Sequence, residues 1–169
     1  MPITIWLTLA GCCVASLYDV RSRRIPNALT GTLALGAAVV HAFGGLQSLG
    51  ISLAVMAALT AAGTLLYARG GIGGGDVKLA IAASGMLSYP LFVPFLLYSA
   101  IGGGLLAIFF LVFRGEARAA FSRAALIAAG NPRSIATKRV TLPYAIAFAV
   151  GALAVALSQS VAPFLRILQ

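Results

Sequence analysis

The sequence predicts an all-α polytopic membrane protein, a six-span helical bundle, and three observations carry that prediction. Of 169 residues, 61% are hydrophobic and 9% charged, with mean hydropathy +1.03; an ordinary soluble domain carries about 25% charged residues. The apolar residues come in long runs, and the basic residues fall in the gaps between them, as membrane topology demands. Proline, glycine and asparagine punctuate the same gaps. The length suits a single membrane-embedded domain over residues 1–169. A net charge of +9 is high enough to attract nucleic acid, but a nucleic-acid surface gathers its Lys and Arg on one face, whereas here they follow the span boundaries. The expected surroundings are a lipid bilayer, with no nucleic-acid partner.

The first span covers residues 3–18. No basic side chain precedes it, and Arg21, Arg23 and Arg24 follow it, the reverse of a signal peptide, so it reads as a retained helix with its N-terminus outside. Pro26 disfavours helix at Ile25, and Asn27 is placed to cap a second span over 28–43. Gly44-Gly45-Leu46-Gln47 reads as an uncharged turn before a third span over 49–68. Residues 79–113 then contain no charge. As one helix they would run roughly 50 Å at 1.5 Å per residue, too long for one crossing. Ser88-Tyr89-Pro90 offers a break, giving a short fourth span over 76–88, tilted or buried in the bundle, and a fifth over 91–113. Residues 114–139 form a basic loop, read either as an interfacial helix or as a solvated segment. The sixth span runs over about 140–157, with Pro143 in its first turn.

Charge sets the expected orientation. With six spans, Arg21, Arg23, Arg24, Arg69, Lys78 and the cluster from Arg114 to Arg139 share one side, and Arg166 alone lies on the other. The positive-inside bias then makes both termini external and the basic loops cytoplasmic. It also puts Asp19 and Asp76 on the same cytoplasmic face, an inference that makes no use of their chemistry.

Only three acidic residues occur: Asp19, Asp76 and Glu116. Glu116 lies among arginines and reads as a solvated partner. Asp19 and Asp76 each abut an apolar run, where a carboxylate is expensive to keep and marks a functional candidate. Taken singly, Asp19 reads equally as an ion pair with its arginines, and Asp76 as the cap of the fourth helix. Together they carry more. Two carboxylates sharing a site cannot both ionise cheaply, so the pair holds one proton and titrates as a unit. One member takes a proton from water while the other protonates a peptide carbonyl. The glycines before Asp76 leave room for another chain's backbone. A phosphate cradle would need Gly-Lys-Ser/Thr, and here Asp follows the last Gly. Lys78 is placed to snorkel to the interface or to act on Asp76. Cys12, Cys13 and His41 offer no metal-ligand spacing; they read as two small buried residues and a satisfied or interfacial histidine. Neither metal nor cofactor is expected.

Gly71-Ile72-Gly73-Gly74-Gly75-Asp76-Val77-Lys78-Leu79, with Asp19 followed by Ile25-Pro26-Asn27, resembles the type IV prepilin peptidases, membrane aspartic proteases of the GxGD type. Leu142-Pro143-Tyr144-Ala145 before an apolar run resembles their C-terminal Pro-Tyr motif. The resemblance implies a hydrolase of the bacterial inner membrane that cuts prepilin leader peptides at the cytoplasmic face, between a basic leader ending in Gly and a membrane-inserted apolar helix that carries a glutamate near its start. It assigns Asp19 and Asp76 as the catalytic pair, and Gly73, Gly74, Gly75, Lys78, Pro143 and Tyr144 as residues toward the substrate. Large bifunctional members also N-methylate the new amino terminus, and many carry a Cys-pair domain after the first span. Here only the short stretch from Asp19 to Asn27 occupies that place. The chain thus resembles the short branch serving Flp-type, tight-adherence pili, and methyl transfer is not implied. Two other classes fit the same pair of aspartates. One is a small ion- or proton-coupled transporter, for which an internal repeat would speak and none is visible. The other is a non-catalytic subunit of a pilus-assembly machine.

Overall fold

The computed structural model describes residues 3–69, 72–113 and 144–167. Its elements are all helical: α1 Ile3–Ser22, α2 Asn27–Phe43, α3 Leu46–Ala68, α4 Gly74–Leu87, α5 Phe92–Phe113 and α6 Ala145–Ile167. Three helices contain stretches long and apolar enough to cross a membrane by themselves, Ile3–Ser22, Leu46–Ala68 and Phe92–Phe110; Asn27–Phe43 and Ala145–Ser160 are shorter and also apolar. The outer faces carry large apolar side chains such as Leu17, Leu35, Ile101 and Leu105, with Trp6, Tyr18, Tyr67 and Tyr89 also exposed. In a bilayer these faces meet lipid rather than water, so their exposure carries no hydrophobic penalty.

α4 is the centre of the bundle. It packs against each of the other described helices, and Leu79, Ala82, Ala83 and Met86 are all but inaccessible. Its 14 residues span about 21 Å at 1.5 Å per residue, short of the roughly 30 Å hydrocarbon core. A helix that stops inside the bundle leaves carbonyls without partners, and here neighbouring groups take them up. Ser88 N–H donates to Ser84 O at 2.8 Å, Ser52 Oγ from α3 to Gly85 O at 2.8 Å, and His41 Nε2 from α2 bonds Met86 O at 3.1 Å. The other ring nitrogen of His41 meets Ser48 Oγ at 2.8 Å, so this histidine is satisfied on both sides. α3 and α4 pack at glycines: a methyl on Gly85 would lie 2.5 Å from Met56 Cγ, a separation only glycine permits.

Several boundaries differ from the sequence reading. α1 continues past Tyr18 to Ser22, because no breaker intervenes before Pro26; it closes with Arg23 N–H on Asp19 O at 2.9 Å, Arg23 being left-handed with φ 52°. Asp19 therefore sits inside the helix, not after it. Asn27 does not cap α2: Pro26 holds the N-cap position without a side-chain bond, its carbonyl receives Leu29 and Thr30 N–H, and Asn27 is already helical. The α2–α3 turn is Gly44-Gly45 alone, made possible by Gly45 at φ 99°, so Leu46 and Gln47 belong to α3. The fourth helix is capped at Gly73, not by the Asp76 side chain. Cys12 is buried, but Cys13 faces outward, since neighbouring helical positions diverge by about 100°. The break around Ser88–Pro90 is where the sequence puts it. The 114–139 segment and Pro143 lie outside the described residues.

Candidate functional site

The buried positions of α1 are Thr4, Ile5, Thr8, Cys12, Ala15 and Asp19, and the last five form a series. They alternate steps of three and four, one helical stripe, and Asp19 is its last member at 9% exposure. Asp76 opens the corresponding stripe of α4, one turn before Leu79 and two before Ala83. Each carboxylate is thus the polar end of the face its helix turns toward the core. Because α1 packs on α4, those ends converge.

Asp19 is held from the far end of the chain. The backbone N–H of Ala145, first residue of α6, donates to its Oδ2 at 3.2 Å. A helix N-terminus is a favourable place for a carboxylate, because its first N–H groups lack partners and the dipole is positive there. Ser16, one turn before Asp19, lies with Oγ 2.9 Å from Ala145 O and 2.7 Å from Cys12 O; its single proton serves one carbonyl at a time. α1 therefore grips both polar groups of one peptide residue. Ser16 escaped the sequence reading, although its spacing from Asp19 puts the two on adjoining faces.

Asp76 sits in the first turn of α4 and folds back over its own cap. A methyl on Gly73 would lie 2.8 Å from Asp76 Oδ2, so the absence of a side chain at 73 is what leaves the carboxylate its place. Gly74 is also closely packed, since a methyl there would lie 3.3 Å from the Tyr67 ring, whereas one on Gly75 would make an ordinary contact with Ile25 at 3.5 Å.

Asp19 and Asp76 line one cavity of about 390 Å³. Gly73, Gly74 and Gly75 form one wall, and Arg23, Arg24, Ile25 and Asn27 form another. Asp76 also faces a second cavity, of about 380 Å³, whose lining is mostly apolar and includes Tyr144. The Tyr144 ring packs on Gly103, where a methyl would approach Cε1 to 2.8 Å. Lys78 points elsewhere. Its Nζ donates to Asn27 Oδ1 at 2.8 Å, and it lines a separate cavity between α2 and α4 with Thr30 and Ala34. Of the residues singled out in the sequence, the fold gathers Asp19, Asp76 and the three glycines, brings Tyr144 to Asp76 from the other side, and sets Lys78 apart.

Two carboxylates on one cavity are groups of the kind that can act as proton donor and proton acceptor. No group of three or more His, Cys, Asp or Glu side chains among the described residues is placed to hold a metal ion. A model described as the type IV leader peptidase family matches residues 6–108 of the chain. The matched stretch contains Asp19, Gly73 to Gly75, Asp76 and Lys78; Pro143 and Tyr144 lie beyond it. No curated protein and no solved structure matches the chain.

Proposed function

The chain belongs to the type IV leader peptidase family, and from that premise we propose that it removes leader peptides from type IV or Flp-type prepilins at the cytoplasmic face of a bacterial inner membrane. The observation that carries the proposal is that Asp19 and Asp76, the two carboxylates placed at the ends of apolar helices, line a single cavity with the glycine loop.

In the proposed reaction one aspartate is ionised and the other protonated, with a water between them. The ionised carboxylate takes a proton as the water oxygen bonds to the scissile carbonyl carbon, and the protonated one gives its proton to the carbonyl oxygen. The resulting gem-diol collapses when the first aspartate returns its proton to the amide nitrogen, the second recovers one from a diol hydroxyl, and the C–N bond breaks. The Ala145 N–H and the α6 terminus hold Asp19 in place for this exchange, which favours rate through positioning. Gly73, Gly74 and Gly75 line the same cavity as Asp76 and would border an extended peptide there. Tyr144, which lines the apolar cavity with Asp76, would border the site from the side of α6, and the resemblance gives Pro143 a role toward the substrate as well. Methyl transfer forms no part of the proposal.

The test is incubation of the purified protein with a full-length prepilin, the cut located by mass spectrometry. Cleavage after the leader, lost in Asp19→Asn and in Asp76→Asn while both variants remain folded, is the expected result. Undiminished cleavage by either variant would remove the pair from the mechanism. A wild-type protein that cuts nothing but carries protons or ions across proteoliposomes would make it a transporter instead.

A further inference from the structure

α3 and α5 both pack on α4 but not on each other. Between them runs the apolar cavity of about 380 Å³, within the range of ligand-sized pockets. Leu59, Ala62, Gly63 and Leu66 of α3 step by three, one and three, and Leu96, Ala100 and Gly104 of α5 by four and four. Each set is a single stripe along its helix. The cavity is therefore a groove parallel to the helix axes, about 10 Å long over two turns, with α4 as its floor. Asp76 stands at one end of that floor and also lines the polar cavity with Asp19, so the groove ends at a residue of the proposed site. Gly104 faces empty space, with no atom within 4 Å of where a side chain would begin.

We infer that this groove seats the first two turns of the substrate's apolar helix, immediately after the scissile bond. The inference rests on the peptidase reading above and adds to it where the substrate lies. A groove between two helices that do not touch, mostly apolar along its length and ending at a carboxylate, suits an apolar helix whose N-terminal end must reach that carboxylate. A phospholipid suits it less: its anionic phosphate would sit against Asp76, and like charges repel strongly where water is scarce. The small residues Ala62, Ala100 and Gly104 let the helix backbone come close.

The experiment uses the full-length protein in proteoliposomes with a full-length prepilin. Failure of the wild type to cleave overturns the peptidase reading and this inference with it. Once cleavage is established, Ala100→Leu and Gly104→Leu, which fill the groove, should each raise KM about tenfold, the factor that corresponds to one sizeable lost apolar contact, with kcat little changed. Leu105→Trp, on an exposed part of α5 outside the groove, should alter neither. Benzoylphenylalanine in place of Ala100 should crosslink to the substrate's apolar helix, and in place of Leu105 it should not. An unchanged KM in both filled variants, crosslinking from position 100 to lipid alone, or equal crosslinking from both positions would overturn the groove assignment while leaving the peptidase reading intact.

Discussion

The backbone N–H of Ala145 donates to Asp19 Oδ2 at 3.2 Å, across 126 positions of sequence. This bond joins the first helix to the last at the candidate site. It makes the N-terminus of α6 part of the support for a carboxylate on α1.

That bond can be removed without breaking the helix. Proline is tolerated at the first helical position because its missing N–H has no intrahelical partner there. Ala145→Pro should lower kcat by about tenfold, equivalent to ~1.4 kcal/mol, the order of one hydrogen bond to a charged group. Ser16→Ala, which frees Ala145 O, should have a smaller effect in the same direction. Cleavage kinetics beside thermal unfolding in one detergent separate lost positioning from lost folding.

Two glycines should respond in opposite ways. At Gly73 the backbone, φ −68° and ψ 141°, admits alanine, but the new methyl would meet Asp76 Oδ2. The carboxylate is the soft partner and moves, so Gly73→Ala should leave Tm nearly unchanged and cut activity about 10²-fold, the cost of misplacing a reacting group by on the order of 1 Å. Gly85→Ala collides with Met56 in the core, far along α4 from Asp76. It should cost ~1–3 kcal/mol of stability, with the activity per folded molecule preserved. Equal activity losses in the two variants would deny Gly73 any special relation to Asp76.

The pH dependence follows from the proposed mechanism, which needs one aspartate ionised and the other protonated. Acid removes the base and alkali removes the acid, so kcat/KM should rise and then fall with pH. Asp76→Asn should reduce the rate by about 10²–10⁴-fold, the range that acid–base groups supply, and abolish the bell in whatever activity remains. A residual profile of unchanged shape would mean that other groups govern it.

Lys78 can be assigned by coupling. Its Nζ is bonded to Asn27 Oδ1 and lies on a cavity separate from that of the aspartates. In double-mutant cycles, Lys78→Ala should couple to Asn27→Ala by up to ~1 kcal/mol, the scale of exposed polar pairs, and act additively with a Glu→Gln change near the start of the substrate's apolar helix. Coupling to the substrate glutamate instead would place Lys78 among the substrate-binding residues.

The sequence by itself determined that the chain is a bundle of apolar helices, roughly where they break, and that Asp19 and Asp76 merit attention. Those features are local. A span is a sum of transfer free energies over consecutive residues, a break such as Ser88-Tyr89-Pro90 is a property of a few adjacent dihedrals, and a carboxylate beside an apolar run stands out by its cost. Asp19's place on its helix was missed, because the span was ended at residue 18, although positions 5, 8, 12, 15 and 19 keep the spacing of one face. Only the tertiary structure decided which faces meet. α3 and α5 are apolar on every side, so no periodicity says which stripe turns inward and which meets lipid. The grip of Ser16 and Asp19 on Ala145, the uptake of α4's last carbonyls by Ser52 and His41, the closeness of Gly73 to the Asp76 carboxylate, and the groove between α3 and α5 all depend on helix pairings. Those pairings are set by small differences in close packing between residues distant in sequence, which local patterns do not record.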